Sequence, residues 1–236
     1  MKTRFFLLLF VFSVFSFHNV WAQHSSDIQK LDSITIASTA IELPFKKNSR
    51  TITLISSEVI KQSPATNLAE LLQQEAGIDI RRQGVNGMQA DLYIRGGSFD
   101  QTLLLIDGIK VEDPQTGHHT LNMALPLEVI ERVEIIKGPA ARVFGQNAFT
   151  GAINIVTKSD ADSVNSVGYK LGSYDQQQAS GTIGTNLENT SLIGHASVNT
   201  SEGYRHNTDF ENQNYFVKGR FNTNGNPIDV IGSFSE

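Results

Sequence analysis

The sequence contains no cysteine among its 236 residues. Disulfide bonds and cysteine-ligated metal centres are therefore excluded, and nothing implies redox chemistry. Positive charge is also scarce, because 24 acidic residues outnumber 19 lysines and arginines and give a formal net charge of −5. Proteins that read nucleic acids usually carry a basic patch, so this balance gives no electrostatic support for nucleic acid as a partner.

Catalytic motifs are missing as well. The chain has no Gly-x-Ser-x-Gly elbow, no His-Glu-x-x-His pair and no phosphate loop ending in Lys-Ser/Thr. Arg95–Ser98 is glycine-rich, but no helix is predicted after it to complete a phosphate-binding nest. The sequence therefore argues against an enzyme, and it calls for no cofactor.

The N-terminus has the pattern of a secretory signal. Lys2 and Arg4 precede an apolar run, Phe5–Phe17, which is too short to span a bilayer. Val20-Trp21-Ala22 then ends on a small residue at a position where a signal peptidase could cut. We predict a cleaved signal peptide over residues 1–22, and thus export; a buried or membrane-anchoring helix is the alternative.

Residues 45–158 show the mixed pattern of an α+β domain. Ser56 or Ser57 can cap a short helix, and Asn67–Glu75 places three leucines on one helical face before Gly77 ends it. Asp107-Gly108 between two apolar runs predicts a two-residue hairpin. The predicted strands are 51–55, 78–81, 92–94, 103–106, 109–111, 133–136 and 152–156.

Residues 159–236 change character and alternate apolar with polar residues. The pattern recurs about five times, with Asn, Asp, Gly and Ser clusters between the runs. It is typical of membrane β-strands, although a soluble antiparallel sheet would look similar. The runs are marked by Val167-Tyr169-Leu171, Ile183 with Leu187, Leu192-Ala196-Val198, Tyr215-Val217-Phe221 and Ile228-Val230-Phe234.

Several phrases, in a fixed order, resemble a known family. Leu92-Tyr93-Ile94-Arg95-Gly96-Gly97 is followed by Leu103–Gly108, then by Val129–Pro139 and by Phe144-Gly145. Together they resemble the plug domain of TonB-dependent outer-membrane receptors, a small domain that blocks the lumen of a large β-barrel. Within this family, Leu103–Val111 and Gly172–Gln176 are most similar to cobalamin transporters.

The resemblance implies a fold class and a domain order. We expect an α+β plug domain followed by the first antiparallel strands of a transmembrane β-barrel, with the barrel incomplete in this chain. The domains would be a signal peptide (1–22), an N-terminal extension with a TonB box (23–44), the plug (45–158) and the first barrel strands (159–236). A lumen wide enough for a plug needs about 22 strands, so we expect a fragment, a truncated gene or part of a longer protein.

The function implied is active import across the outer membrane of a Gram-negative bacterium. The ligand would be scarce and large, either cobalamin-like or an iron siderophore or haem, and a separate lipoprotein lid is left open. The alternative is a truncated or free periplasmic plug-type module that binds or interacts without transport.

The family also has a partner, the inner-membrane TonB complex. A TonB box near the mature N-terminus would lend its backbone to a sheet edge of that partner, which then pulls. Here the matching segment is short and degenerate, and an ordinary first strand of the plug is the alternative. The box residues would be Asp32, Ser33, Ile34, Thr35, Ile36, Ala37 and Ser38.

Two polar segments of the plug are candidates for ligand contact, since in the family outward-facing plug loops touch the substrate. Backbone amides and amide side chains can hold a large polar ligand through many modest hydrogen bonds. Simple solvated turns are the alternative. The candidate residues are Gln83, Asn86, Met88 and Gln89 in the first segment, and Asp113, Gln115, Thr116, His118 and His119 in the second.

Metal binding has little support. His118 and His119 are adjacent, and neighbouring side chains on an extended segment point in opposite directions. By the resemblance, the segment Asn207-Thr208-Asp209 is close to where cobalamin transporters place a calcium-binding loop, but it is sparse in carboxylates. We therefore predict no metal site.

Charged residues in apolar strands suggest a plug–barrel lock. In the family, arginines of these phrases pair with carboxylates on the barrel wall. Surface charges that alternate with core residues are the alternative. The predicted lock residues are Arg95, Glu131, Arg132, Glu134 and Lys137.

Overall fold

The computed structural model describes residues 35–36, 43–44, 52–85, 88–139, 144, 146–162, 164–223 and 226–236. All of them fall within one compact unit, Ile34–Glu236. The first described elements, β1 (Thr35–Ile36) and β2 (Leu43–Pro44), pair antiparallel. The predicted signal peptide lies outside the described residues, as does the predicted TonB box apart from its two residues in β1.

A five-stranded mixed sheet forms the centre of the plug. Its spatial order is β3-β8-β9-β6-β7, and β6 and β9 are parallel while the other neighbours are antiparallel. A separate hairpin is formed by β4 and β5. The bounds are β3 (Ile52–Ser56), β4 (Ile78–Arg82), β5 (Ala90–Ile94), β6 (Thr102–Ile106), β7 (Ile109–Val111), β8 (Ile130–Lys137) and β9 (Gly151–Thr157).

The central strands are apolar on both faces because both faces of the sheet are covered. Leu104 packs in one cluster with two short helices, α1 (Ser57–Gln62) and α2 (Leu68–Gln73). Its neighbours Leu103 and Leu105 belong to a second cluster. Fully burying one such side chain contributes about 1.5–3 kcal/mol, so β6 helps to stabilise both layers.

A helix cap and two turns set where the chain changes direction around α2 and between β6 and β7. The side chain of Asn67 caps α2 by accepting a hydrogen bond from the Glu70 amide at 2.9 Å. This helix ends two residues before the predicted Glu75, and Gly77, at φ +80°, turns the chain into β4. The predicted Asp107-Gly108 hairpin is confirmed, since both residues have positive φ and join β6 to β7.

The last five strands form one antiparallel meander, which we call the wall sheet. The five strands predicted from the alternation are confirmed, in the order β10-β11-β12-β13-β14. No helix in the described part of the chain is long and apolar enough to cross a membrane. The bounds are β10 (Ser166–Leu171), β11 (Gln177–Leu187), β12 (Thr190–Ser201), β13 (Phe210–Thr223) and β14 (Asn226–Ser235).

One glycine allows a close approach inside the plug. A Cβ atom on Gly151, at the start of β9, would overlap the carbonyl oxygen of Ile136 and lie 2.9 Å from Cδ1 of Ile94. We expect Gly151→Ala to destabilise the plug by about 1–3 kcal/mol, because the overlapped atom is backbone and the neighbouring strand would have to shift. Urea unfolding of the refolded chain, followed by circular dichroism, measures the change.

The matched control is Gly181→Ala in β11, where an added Cβ meets nothing within 4 Å. Its unfolding midpoint should stay near that of the unsubstituted chain. Equal effects of the two substitutions would show that the close approach at Gly151 is not what limits stability.

Candidate plug–wall interface and outer loops

The two faces of the wall sheet differ in chemistry. Cross-strand register puts Gln178, Asn199 and Asn212 in one row, and Ser180, Ser197, Asn214 and Ser235 in the next. The opposite face presents exposed apolar side chains, among them Val167, Ile183, Val198, Val217, Val230 and Phe234. The plug lies against the polar face, since Ile193 and Phe216 of the wall are buried within the plug core cluster.

A cavity of about 90 Å³ lies between the plug and the polar face. The plug contributes Arg82, Met88 and the segment 121–128, and the wall contributes its amide row. The side-chain oxygens of Gln178 and Asn199, which are cross-strand partners, are buried and accept no hydrogen bond from any described residue. Buried acceptors call for donors, so this cavity is suited to a molecule that carries N–H or O–H groups.

A buried lysine joins plug and wall below this cavity. Lys218 of β13 is 2% exposed, and its ammonium lies 3.0 Å from the Asp107 carboxylate in the β6–β7 turn. The same ammonium donates a hydrogen bond to the Thr157 hydroxyl at the end of β9. It also lies 3.6 Å from Asp229 of the neighbouring wall strand. The β6–β7 turn and the strands β9, β13 and β14 thus meet at one positive charge.

The linker between plug and wall is held close to β11. The Asn186 side chain donates to Asp160 at 2.8 Å, and the Gly184 amide donates to Asn165 at 2.8 Å. A Cβ on Gly184 would overlap the carbonyl oxygen of Ala161. The chain therefore enters the wall sheet in direct contact with it.

A buried carboxylate connects the two predicted ligand segments. Asp91 of β5 accepts a hydrogen bond from the Gln89 side chain at 3.1 Å and lies 2.9 Å from Nδ1 of His118. The imidazole of His118 also packs on the Phe99 ring, with centroids 4.2 Å apart. Gln89 and His118, which belong to different segments, are brought together by a residue that the sequence did not single out.

The second segment has a rigid turn before His118. Asp113 accepts hydrogen bonds from the Thr116 hydroxyl at 2.7 Å and from the Gln115 amide at 3.1 Å. These bonds hold the pKa of the Asp113 carboxyl well below its usual value. The Asp113 carboxylate thus closes the turn that leads to His118.

The other ligand candidates have individual positions. The backbone amide of Gln83 donates to the backbone carbonyl of Gln89 at 2.9 Å, and Met88 is exposed beside the cavity. Nδ1 of His119 lies 3.2 Å from the side-chain amide nitrogen of Asn122. Asn86 lies outside the described residues. Within the described ranges, no three His, Asp or Glu side chains are grouped so that they could hold a metal ion.

The predicted lock residues make the following contacts within the plug. Arg132 makes ion pairs with Glu131 at 2.6 Å and with the fully buried Glu134 at 2.9 Å. Glu134 also accepts from its cross-strand partner Asn154 at 3.2 Å. Lys137 donates to the Ala76 carbonyl, and the Arg95 amide donates to the Gly77 carbonyl at 3.0 Å. Their role as a lock stays a prediction.

Sequence reasoning missed the residues that join plug and wall. The turn pattern alone accounts for Asp107, and Lys218 is a single cation in an alternating strand. The alternation held a usable signal, since Tyr215 and Val217 mark the outward phase of β13 and thus put Lys218 on the inward face. A cation on the inward face of such a strand calls for an anionic partner on the side where the plug packs.

A family model and several proteins of known function are similar to this chain. Residues 44–152 match the model of the TonB-dependent Receptor Plug Domain. The vitamin B12 transporter BtuB of Vibrio vulnificus is 32% identical over 162 residues, which cover 69% of this chain and 26% of that protein. BtuB of Vibrio cholerae is 32% identical over 158 residues, covering 66% and 26% respectively. The chain spans about a quarter of the length of these relatives.

Solved structures share the fold at lower identity. FpvA of Pseudomonas aeruginosa, bound to pyoverdine, has a TM-score of 0.71 and 18% identity, over 85% of this chain and 27% of that one. The siderophore receptor PirA of the same species has a TM-score of 0.57 and 23% identity, over 80% and 36%. The plug-domain match and the 32% identity to two BtuB proteins, together with this shared fold, show that the chain belongs to the TonB-dependent receptor family.

Proposed function

We propose that this chain is part of an outer-membrane receptor that imports a scarce, large ligand with energy from TonB. The observation that carries the proposal is the docking of the plug onto the polar face of a sheet whose other face is apolar. An apolar outer face suits lipid, and a polar inner face suits a lumen filled by a plug.

The edges of the wall sheet support a larger assembly. Among the described residues, β10 pairs only with β11 and β14 only with β13. Unpaired backbone groups are intolerable in hydrocarbon, so in a membrane both edges must meet further strands. The share of the relatives' length that the chain spans is consistent with many such strands.

Loop lengths suggest the orientation. The connections 172–176 and 202–209 lie at one end of the wall sheet, and the shorter connection 188–189 lies at the other. Outer-membrane barrels have short periplasmic turns and longer outer loops. The cavity is lined by wall residues next to the longer loops, so the plug residues Arg82 and Met88 would lie on the outward side.

For the ligand we propose a cobalamin-like molecule, with an iron siderophore or haem as the other classes. Two relatives are vitamin B12 transporters, and two structural neighbours are receptors of siderophores. Gln83, Gln89, Gln115, Thr116 and His118 would offer amide, hydroxyl and imidazole groups, and no single strong residue is required. TonB would engage residues 32–38, and a lipoprotein lid would be a further partner.

A free periplasmic module is less well supported by these contacts. Without the wall, Asp107 and Thr157 would lose the ammonium that they share. The plug core would also lose its packing against Ile193 and Phe216. Both losses argue for a plug that works inside its wall.

Deleting Asp32–Ser38 tests the coupling to TonB. We expect uptake of labelled cyanocobalamin, or of a ferric siderophore as the second probe, to be abolished in cells that carry the complete receptor. Binding of the same probe to isolated outer membranes should be unchanged, because the plug and its loops stay intact. Deletion of Ser25–Leu31 is the length-matched control and should preserve uptake. Normal uptake without Asp32–Ser38 would refute the proposed coupling.

Whether the apolar face of the wall sheet faces lipid can be tested by introducing a charged side chain there. Val217→Arg should reduce the amount of heat-modifiable receptor in outer membranes, because arginine near the bilayer midplane costs about 2–4 kcal/mol. An antibody against residues 45–158 measures this amount on gels, with and without boiling. Ser233→Arg, in the row that faces inward with Phe216, should have little effect. Similar losses in both variants would argue against a lipid-facing surface.

The buried carboxylate tests the two ligand segments together. Asp91→Asn removes the charge that holds Gln89 and His118, so we expect binding of cyanocobalamin to weaken about tenfold or more. Equilibrium binding to isolated outer membranes gives this value. Asp79→Asn, at an exposed position of the same hairpin, serves as the control. Unchanged affinity in both variants would mean that this arrangement does not contribute to the ligand site.

A further inference from the structure

The ammonium of Lys218 lies between a carboxylate of the plug and a carboxylate of the wall. The Asp107 oxygen is 3.0 Å away and the Asp229 oxygen is 3.6 Å away. The lysine side chain is almost completely buried, whereas both carboxylates keep some exposure. One buried cation therefore has two possible anionic partners, and they belong to parts of the molecule that would separate during transport.

The plug side of this contact is fixed within the plug. The Asp107 carboxylate accepts hydrogen bonds from the amide of Thr157 at 2.7 Å and from its hydroxyl. The backbone on either side is also held, because the Asp107 amide donates to Ile155 and the Gly108 amide donates to Asn154. This carboxylate cannot follow the wall when the plug moves, so its contact with Lys218 breaks as the plug leaves.

The wall side has a carboxylate that stays behind. Asp229 is the cross-strand partner of Arg220 and receives both of its guanidinium hydrogen bonds, at 2.7 and 2.6 Å. Since this pair lies entirely within the wall, Asp229 remains beside Lys218 after the plug has moved. A small movement of the flexible lysine stem would close the remaining distance.

We propose that Lys218 is an exchangeable latch, which holds the closed plug through Asp107 and Thr157 and passes to Asp229 when the plug is displaced. The inference rests on the proposed function for its biological meaning, but the exchange itself can be tested without any ligand. Asp107 would set the strength of closure, and Asp229 would ease opening by stabilising the open state. In the predicted lock the plug supplies the cation and the wall the carboxylate. Here the arrangement is reversed, because the cation Lys218 belongs to the wall.

The test measures plug displacement in the complete receptor, purified in detergent micelles. Because this chain has no cysteine, Ala124→Cys gives it a single labelling site, at a buried position beside the plug–wall cavity. The rate of maleimide labelling in moderate urea then reports opening. We expect Asp107→Asn to accelerate labelling about tenfold or more, as for the loss of one partner of a buried charge pair.

Asp229→Asn distinguishes transfer of the Lys218 ammonium to Asp229 from a static role of Asp229, because the two predict opposite changes in the labelling rate. If Asp229 receives the ammonium in the open state, its removal should slow labelling severalfold, opposite to Asp107→Asn. Asp209→Asn, an exposed wall position outside this cluster, should leave the rate unchanged. Faster or unchanged labelling in Asp229→Asn would overturn the latch and make Asp229 a static support or a bystander. Failure of probe uptake by the unsubstituted receptor would count against the proposed function but would leave this measurement intact.

Discussion

A buried ammonium needs a carboxylate, and this requirement at Lys218 constrains both halves of the molecule. Leaving such a charge unpaired costs about 3–5 kcal/mol, which is a large part of the stability of an ordinary domain. The plug meets the need with a carboxylate on a rigid turn, and the wall meets it with Asp229, held by Arg220. The position of β6, β9, β13 and β14 relative to one another is therefore specified by charge as well as by packing.

The packing around this contact is apolar on the plug side and mixed on the wall side. Ile193 and Phe216 extend the plug core into the wall, while the amide and serine rows above them stay polar. An apolar interface along the whole wall would hold the plug by hydrophobic burial alone. The free energy needed to separate plug and wall would then grow with the buried apolar area. A mostly polar interface with few apolar contacts can instead exchange its hydrogen bonds for water, which suits the plug displacement proposed above.

Periodicity predicted the strands because it is a local property of the sequence. The five wall strands follow from alternation, and the Asp107-Gly108 hairpin follows from turn chemistry. The joining contacts are long-range, with a sequence separation of 111 between Asp107 and Lys218 and of 27 between Asp91 and His118. Local rules account for Asp107 by its turn and put Lys218 on the inward face of its strand, but they do not say which residues pair across the fold. The same limit applies to Glu134, whose cross-strand partner Asn154 depends on strand order.

The place of the latch in the chain also bears on its reversibility. Thr157, which shares the ammonium, is the last residue of β9, and the linker that follows it is bonded to β11 through Asp160 and Asn165. A short tether keeps the local concentration of the plug carboxylate high near Lys218, even after the contact has broken. Re-engagement is then an intramolecular step whose entropic cost is small, whereas the distant N-terminal segment gains no such advantage. The contact between Asp107 and Lys218, which lies close to the linker between plug and wall, can thus break under load and form again without diffusion over a long distance.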